Sequence, residues 1–242
     1  MKLRNGKIYG ADGKFHTGDI RIENGVFAEV RLTGTETASA GGEESVDATG
    51  LYLLPGLTDI HFHGCVEHDF CEGTIEAIQK IAEYEESVGV TQICPATMTF
   101  SEEILTGVLR AAREFPNERG ARLVGVNMEG PFISQAKKGA QNPKYIQAPD
   151  ADMFERLQEA SGGLVKLVDI APEEPGAEEF IRREKDKVVI SLAHTDADYD
   201  TALAALTAGA RHMTHLYNAM NPIHHRKPGP ILAAADTDFT EV

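Results

Sequence analysis

Five residues of this chain have side chains that could bind a metal ion together: His61, His63, Glu129, His194 and His215. Four neutral imidazoles and one carboxylate suit zinc, iron or a similar divalent transition metal better than calcium or magnesium, which prefer oxygen ligands. The set has room for two ions, with Glu129 as a bridge. A metal with an open position polarises a carbonyl oxygen and lowers the pKa of its bound water to roughly 7. This is the chemistry that hydrolyses an amide at neutral pH.

The elements that must position these residues alternate between strands and helices from about residue 55. Apolar runs separated by helical patterns are typical of βα units and a parallel sheet. Six such units fit an open doubly wound sheet or most of a (β/α)8 barrel, and the chain lacks the glycine-rich phosphate fingerprint of nucleotide-binding sheets, which favours the barrel. The predicted strands span residues 57–63, 90–96, 122–129, 164–171, 188–194 and 212–217.

The five candidate ligands all close predicted strands, and this is why we expect them to meet. In a (β/α)8 barrel the C-terminal ends of the strands face one mouth. His194 and His215 are one repeat apart, and neighbouring strands lie about 4.8 Å apart, so both imidazoles can reach one ion. His61 and His63 are two residues apart on a strand and therefore point to the same side.

Each of these histidines taken alone has a structural explanation, because a histidine near a strand end is common. Five candidate ligands at the same end of consecutive strands make the metal site the better interpretation. We interpret the other histidines at strands and loops, His16, His68 and His212, as structural. The three cysteines contain no CxxC pair and predict neither a disulfide framework nor a cysteine zinc site.

The first residues have a different pattern from the rest of the chain. Residues 1–34 alternate like short strands, and two Asn-Gly pairs, at 5–6 and 24–25, are of the kind that closes tight hairpins. The polar stretch at residues 35–45 is predicted to be a loop. We therefore expect a small β portion over residues 1–54 and the barrel over residues 55–242.

The charge and hydropathy of the chain exclude several classes of function. A formal net charge of -15 repels nucleic acid and anionic membranes, and no cluster of basic residues reverses it locally. No apolar run approaches the roughly 20 residues that span a bilayer, and the charged opening lacks the apolar core of a signal peptide. The expected location is the cytoplasm, and the expected partner is a small molecule.

Several motifs follow one another in order along the chain: "LPGLTDIHFHG", "PATMTF", "NMEGPFIS", "KKGAQNP", "APE", "SLAHTDA" and "THLYNAMNPIHHRKPGP". Together they resemble one family within the amidohydrolase superfamily, the N-acetylglucosamine-6-phosphate deacetylases. The resemblance covers essentially the whole chain, and "MEGPF" and "THLYNAM" are its most specific parts. The resemblance implies a (β/α)8 TIM-like barrel, of which these residues supply about six strands, with a β-sandwich portion built from both chain ends.

The resemblance also implies a reaction: metal-dependent release of acetate from N-acetylglucosamine 6-phosphate in amino-sugar catabolism. Glu129, His194 and His215 match the principal ligands of the metal, with zinc or iron expected. His61 and His63 match a first-strand pair that only some members keep as two histidines, and a second ion is possible where both are present. One or two ions per subunit are therefore expected.

Four further positions match substrate-binding positions of the family. Asn218 and Ala219 match positions that hold the phosphate, and Arg226 matches an arginine that reaches the phosphate of the neighbouring subunit, which implies a homodimer. Gln141 stands where the family often has a histidine that contacts the sugar. The family's general base, an aspartate after the eighth strand, lies beyond Val242, so metal binding by this chain is expected to survive better than catalysis.

Two other functions remain open at this stage. One is a cyclic-amide hydrolase of the hydantoinase or dihydroorotase type, which shares the HxH pair and the two later histidines. Such enzymes bridge their metals with a modified lysine at the end of strand four, and Lys166 lies too early in its strand for that role. The other is a non-catalytic protein, since the expected general base is absent from these residues.

Overall fold

The computed structural model describes residues 1–33 and 44–237 of the chain. The chain forms two compact units, Met1–Gly56 and Leu57–Val242. Most of the predicted loop at residues 35–45 lies outside the described residues, as do residues 238–242. None of the helices in the described residues is long and apolar enough to cross a membrane.

The N-terminal unit contains one five-stranded sheet. Its order is β3-β2-β1-β4, with β5 also paired to β1. β1 runs antiparallel to β2 and parallel to β4 and β5. The strands are β1 (Lys2–Tyr9), β2 (Phe15–Glu23), β3 (Val26–Leu32), β4 (Ser45–Asp47) and β5 (Tyr52–Leu53).

The two Asn-Gly pairs have different roles in this sheet. Asn24 and Gly25 have φ values of 51° and 76° and form the two-residue turn between β2 and β3, as predicted. The prediction for Asn5-Gly6 is wrong: this pair lies inside β1, where the register with β2 shifts between Leu3 and Gly6. Asn5 has a φ of 60°, so the left-handed residue makes a bulge in the strand instead of a hairpin turn.

The second unit contains parallel strands that follow one another in sequence order. One sheet has the order β10-β9-β6 and the other β11-β12-β13-β14, and a bridge between Ala96 and Asn127 joins them. β10 and β11 are two halves of one strand interrupted before Val126. The strands are β6 (Leu57–Asp59), β9 (Val90–Ile93), β10 (Arg122–Leu123), β11 (Val126–Met128), β12 (Val165–Ile170), β13 (Val189–Leu192) and β14 (His212–Met213), with a small antiparallel pair of β7 (Gly64–Cys65) and β8 (His68–Asp69).

Helices separate these strands and complete the βα units. Four of these helices begin at a residue whose side chain caps the N-terminus. The capping residues of α1, α2, α3 and α5 are Thr74, Ser101, Asp150 and Asp198. The fold is therefore of the (β/α)8 barrel class, as predicted, and six of its strands lie in the described residues. The helices are α1 (Ile75–Ser87), α2 (Glu102–Glu114), α3 (Ala151–Ser161), α4 (Ala177–Glu184), α5 (Tyr199–Ala208) and α6 (Gly229–Ala235).

The barrel strands are shorter than predicted at their C-terminal ends. β13 ends at Leu192 and β14 at Met213, and His194 and His215 lie two residues further on. Both histidines have positive φ values, 45° and 37°, which a β-strand does not allow. The candidate ligands therefore lie in the turns that leave the strands, not at the last strand positions.

Candidate metal centre

Glu129 is the central residue of the candidate site. It follows β11 directly, and only 2% of its surface is exposed. The backbone turns sharply at Gly130, where φ is 81°, so the carboxylate is held at the rim of the barrel. A buried carboxylate requires compensating partners, since burial of an unpaired charge is costly.

His194 and His215 supply those partners on one side of the carboxylate. The Oε1 atom of Glu129 lies 2.7 Å from Nε2 of His194 and 3.2 Å from Nε2 of His215. The two Nε2 atoms are 3.1 Å apart. Ligands of a four-coordinate zinc ion with bonds of about 2.0–2.1 Å lie roughly 3.3 Å apart. The spacing of this triangle therefore fits one metal ion.

The hydrogen-bond partners of the two Nδ1 atoms, which point away from Glu129, show why a cation is needed between the Nε2 atoms and the carboxylate. Nδ1 of His194 lies 2.8 Å from the carbonyl oxygen of Lys137, and Nδ1 of His215 lies 3.1 Å from that of Asn218. A carbonyl oxygen only accepts, so each Nδ1 carries the proton, and Nε2 of the neutral ring presents a lone pair. Two lone pairs and a carboxylate oxygen then face one another and repel unless a proton or a metal ion lies among them. The donor set fits a divalent metal.

His61 and His63 approach the other oxygen of the same carboxylate. Nε2 of His63 lies 2.9 Å and Nε2 of His61 lies 3.8 Å from Oε2 of Glu129. Candidate ligand atoms of His61, Glu129 and His215 also lie within 4.8 Å of one another. The carboxylate thus has a pair of imidazoles on each side, which is the arrangement expected if it bridges two ions.

The two first-strand histidines differ in their outer contacts. Nδ1 of His63 lies 3.3 Å from the carbonyl oxygen of Ala96, so its Nε2 presents a lone pair, as in His194. Nδ1 of His61 instead lies 3.1 Å from Nδ2 of Asn127, an amide donor. That contact places the proton of His61 on Nε2. In this state His61 donates towards the carboxylate, and binding a metal requires its ring to exchange tautomers.

A buried hydrogen-bonded network joins β12, β13 and β14 beneath His215. Thr214 Oγ1 donates to Oδ1 of Asp169 at 2.7 Å and lies 2.8 Å from Oγ of Ser191, which contacts Nδ1 of His212 at 2.9 Å. Burial, reinforced by the charge of Glu129, raises the pKa of Asp169. The network fixes the residue before His215, so it helps to define where that imidazole lies.

The carboxylate of Glu129 shifts the pKa values around it. Burial opposes ionisation of Glu129. In the metal-free chain a proton lies among these groups, and the resulting hydrogen bonds with His194 and His215 outweigh burial and hold the pKa of Glu129 far below the usual range. Contact with the same carboxylate raises the pKa of His63. Burial works against the charged form of His215, yet Glu129 raises its pKa as well. Burial lowers the pKa of His61.

These shifts predict that zinc stabilises the chain more at higher pH. In the metal-free chain, the raised pKa values of His63 and His215 stabilise the fold below the usual value of 6.5, and that contribution is lost as the pH rises through the folded values. The lowered pKa of Glu129 stabilises the fold above pH 4.5, and this contribution is lost only as the pH falls through the folded pKa. Zinc takes the place of the protons that His63 and His215 lose as the pH rises. The increase in Tm caused by zinc is therefore expected to grow between pH 5.5 and 8.

Thermal unfolding with and without zinc at pH 5.5, 7 and 8 checks this expectation. The matched control is His225→Ala, which removes an exposed histidine outside the five ligands and should keep the pH dependence. An equal zinc-induced shift in Tm at all three pH values would contradict the explanation.

The structure buries Gln141 with its acceptor already used. Only 3% of Gln141 is exposed, and its Oε1 accepts from the backbone N–H of Thr99 at 2.7 Å. Its Nε2 lies 3.8 Å from Sδ of Met98. Gln141 can therefore offer a sugar at most an N–H group, and its predicted role in sugar contact stays a prediction.

The three predicted phosphate-binding residues lie in two places. Asn218 and Ala219 belong to the turn that follows His215, and the carbonyl oxygen of Ala219 accepts from the N–H of Thr195 at 3.1 Å. Arg226 is exposed and lines a separate surface cavity of about 770 Å³, whose other lining residues include Asp196, Asn221 and Lys227. The five candidate ligands do not line this cavity.

Sequence reasoning missed the groups that orient the imidazoles, because most of them are backbone carbonyls. The oxygens of Ala96, Lys137 and Asn218 face the outer nitrogens of His63, His194 and His215. Every residue has a carbonyl, so no residue type marks these positions. The three histidines interpreted as structural do lie elsewhere: His16 contacts Asp12, His68 contacts Glu72, and His212 belongs to the buried network.

Known proteins are similar to this chain in sequence and in fold. The sequence pattern described as the amidohydrolase family matches residues 52–237. A curated N-acetylglucosamine-6-phosphate deacetylase of Bacillus subtilis (strain 168) is 40% identical over 192 residues, which cover 77% of this chain and 48% of that protein. One of Lysinibacillus sphaericus is 31% identical over 232 residues, which cover 95% of this chain and 59% of that protein. The chain thus spans about half the length of the curated relatives that it matches.

Solved structures of the same name are similar over almost the whole chain. A crystal structure of N-acetyl-D-glucosamine-6-phosphate deacetylase from Mycobacterium smegmatis has a TM-score of 0.87 and 29% identity, and covers 99% of this chain and 62% of its own. A variant of the same enzyme, solved in complex with N-acetyl-D-glucosamine-6-phosphate, has the same TM-score and identity.

Proposed function

Because the chain belongs to the amidohydrolase family, we propose that its protein removes the acetyl group from N-acetylglucosamine 6-phosphate and releases glucosamine 6-phosphate and acetate. The single observation that carries this proposal is the convergence of Glu129, His194 and His215 with their electron-rich atoms 2.7–3.2 Å apart. The names of the curated relatives and of the solved structures support the choice of substrate.

We infer that Glu129, His194 and His215 hold a divalent metal ion, zinc or iron, and that His61 and His63 can contribute a second position. When bound, such an ion polarises the amide carbonyl and lowers the pKa of water. The residues of the chain orient this chemistry. Lys137 and Asn218 keep the imidazoles of His194 and His215 in the tautomer that binds a cation, and the buried carboxylate supplies the negative charge.

The substrate's phosphate is assigned to the turn after His215 and to Arg226. Asn218 is exposed next to a ligand, so a phosphate bound there lies close to the metal centre. A guanidinium fork suits phosphate because it donates two parallel hydrogen bonds. The proposal includes a homodimer in which Arg226 serves the neighbouring subunit, since Arg226 lines a cavity apart from the five candidate ligands. Gln141 is proposed to contact the sugar through its amide N–H.

The alternative of a cyclic-amide hydrolase finds no support at its required position. A bridging lysine would have to stand at the end of β12, but Lys166 is the second residue of that strand. Its side chain is exposed, and Nζ donates to the carbonyl oxygen of Gly163 at 2.8 Å. Lys166 therefore lies at the opposite end of the strand from the candidate ligands.

Metal analysis and acetate release on the same preparation of the gene product test the proposal. We expect about one or two equivalents of metal per subunit and acetate release from N-acetylglucosamine 6-phosphate, with much less from N-acetylglucosamine, which lacks the phosphate. Absence of both metal and acetate would end the case. Bound metal without acetate release from the gene product would favour the non-catalytic alternative.

A further inference from the structure

The turn that carries His194 is held by a carboxylate from the neighbouring strand. Glu173 lies three residues after the end of β12, in the segment Ala171-Pro172-Glu173. Its Oε2 accepts from the hydroxyl of Thr195 at 2.5 Å, and its Oε1 accepts from the backbone N–H of Asp196 at 2.5 Å. One carboxylate thus engages the two residues that follow His194.

Thr195 extends this contact into the turn. Thr195 is fully buried, and its Oγ1 also accepts from the backbone N–H of Ala197 at 2.9 Å. The backbone N–H of Thr195 donates to the carbonyl oxygen of Ala219, in the turn after His215. Glu173 therefore links the ends of three successive strands, β12, β13 and β14, on the side where the candidate ligands lie.

The conformation of His194 explains why such a link is needed. Its φ of 45° lies in the left-handed region, which a residue with a side chain occupies only when its surroundings impose it. Within this left-handed turn, the carbonyl oxygen of His194 accepts from the backbone N–H of Ser134 at 3.0 Å. The two hydrogen bonds to Glu173 hold the residues that follow His194, Thr195 and Asp196.

We propose that Glu173 is a positioning residue for the metal centre: it imposes the left-handed turn at His194 and thereby fixes where Nε2 of that imidazole meets Glu129 and His215. This inference rests on the proposed function, because the benefit of a fixed imidazole is the binding of a metal ion. Both carboxylate oxygens of Glu173 are already engaged, so its role is exerted through Thr195 and Asp196 and not by ligation.

The chemistry of the turn requires a carboxylate at this position. The turn presents two donors, the hydroxyl of Thr195 and the N–H of Asp196, and a carboxylate has two acceptor oxygens for them. Glutamine of the same shape has one oxygen and one NH2 group, so it can accept from only one of the two donors; if its NH2 group faces Thr195, the proton of that buried hydroxyl loses its acceptor. Glu173→Gln therefore removes one of the two acceptors and the negative charge without removing volume.

Zinc affinity of the 242-residue chain, measured by competition with a chromogenic chelator, tests the proposal. Loss of groups that orient a metal ligand costs 10–100-fold in affinity, and we expect about 10-fold weaker zinc binding for both Glu173→Gln and Thr195→Val. Thr195→Ser keeps the hydroxyl and should bind within about 2-fold of the unmodified chain. Glu174→Gln, which changes the adjacent carboxylate, is the matched control and should bind zinc normally.

The double variant distinguishes a shared role from two separate ones. Glu173→Gln with Thr195→Val should bind zinc about as weakly as either single variant, because both break the same link. Wild-type zinc affinity in a folded Glu173→Gln chain would overturn this inference and leave the proposed function untouched. So would losses of affinity in the double variant that equal the product of the two single losses. If Glu173→Gln does not fold, the comparison of Thr195→Val with Thr195→Ser decides. Failure of the unmodified chain to bind zinc would overturn the proposed function as well.

Discussion

The Glu129→Gln chain is expected to bind zinc more than about 100-fold more weakly than the unmodified chain, beyond the range that loss of an orienting partner costs. Glutamine keeps the shape of the side chain but removes the negative charge. It also leaves one oxygen where the carboxylate has two, and Oε1 and Oε2 each face a different pair of imidazoles. The amide NH2 group would point donors at atoms that a metal ion should bridge.

Isothermal titration with zinc, with circular dichroism to confirm folding, measures this effect. Glu129→Asp separates charge from reach: it keeps the charge but is one methylene shorter, so it should bind more weakly than wild type and more tightly than Glu129→Gln. Glu174→Gln removes a carboxylate outside the site and should leave binding unchanged. A full metal complement in Glu129→Gln, at wild-type affinity, would remove Glu129 from the ligand set.

Gly130→Ala is expected to destabilise the chain by about 3 kcal/mol or more and to weaken zinc binding at the same time. Gly130 has a φ of 81°, which alone disfavours a side chain by about 1–2 kcal/mol. A methyl group there would overlap Oγ1 of Thr99 and approach its Cβ to 3.1 Å. Overpacking of a buried site adds about 1–3 kcal/mol. Thr99 cannot retreat easily, because it is buried and its N–H is bound to Gln141.

Thermal and urea unfolding of Gly130→Ala and of its control variants measures this cost. Gly107→Ala is the control, since Gly107 lies within α2 and a methyl group there meets nothing within 4 Å. That change should stabilise by about 0.5–1 kcal/mol. Thr99→Ala removes the overlapping hydroxyl and should recover part of the loss when combined with Gly130→Ala. Equal stability of the Gly130→Ala and Gly107→Ala chains would contradict the tight approach.

The strand and helix order and the identity of the candidate ligands could be predicted from the sequence. Apolar runs that alternate with helical patterns indicate parallel βα units, and parallel strands bring their C-terminal ends to one rim whatever the chain between them. This is why His61, Glu129 and His215 could be placed together although they are far apart in the sequence. The Asn24-Gly25 turn was equally predictable, since its flanking strands are adjacent and its conformation depends on two residues.

Other features were decided only by contacts between distant parts of the chain. The other Asn-Gly pair, Asn5-Gly6, makes a bulge instead of a turn because β1 is paired along its whole length with β2. The strands stop before His194 and His215 because the turns after them are held in left-handed conformations by long-range hydrogen bonds. Local propensity contains no signal for these contacts.

The sequence by itself determined which side chains could bind a metal and that they would lie at one end of the barrel. The tertiary structure decided how each imidazole is oriented, through the backbone oxygens of Ala96, Lys137 and Asn218. It also decided that Glu173 reaches the turn after His194. The physical reason is that residue type determines which atoms can bind, whereas the position of a lone pair depends on partners that only folding brings within hydrogen-bonding distance.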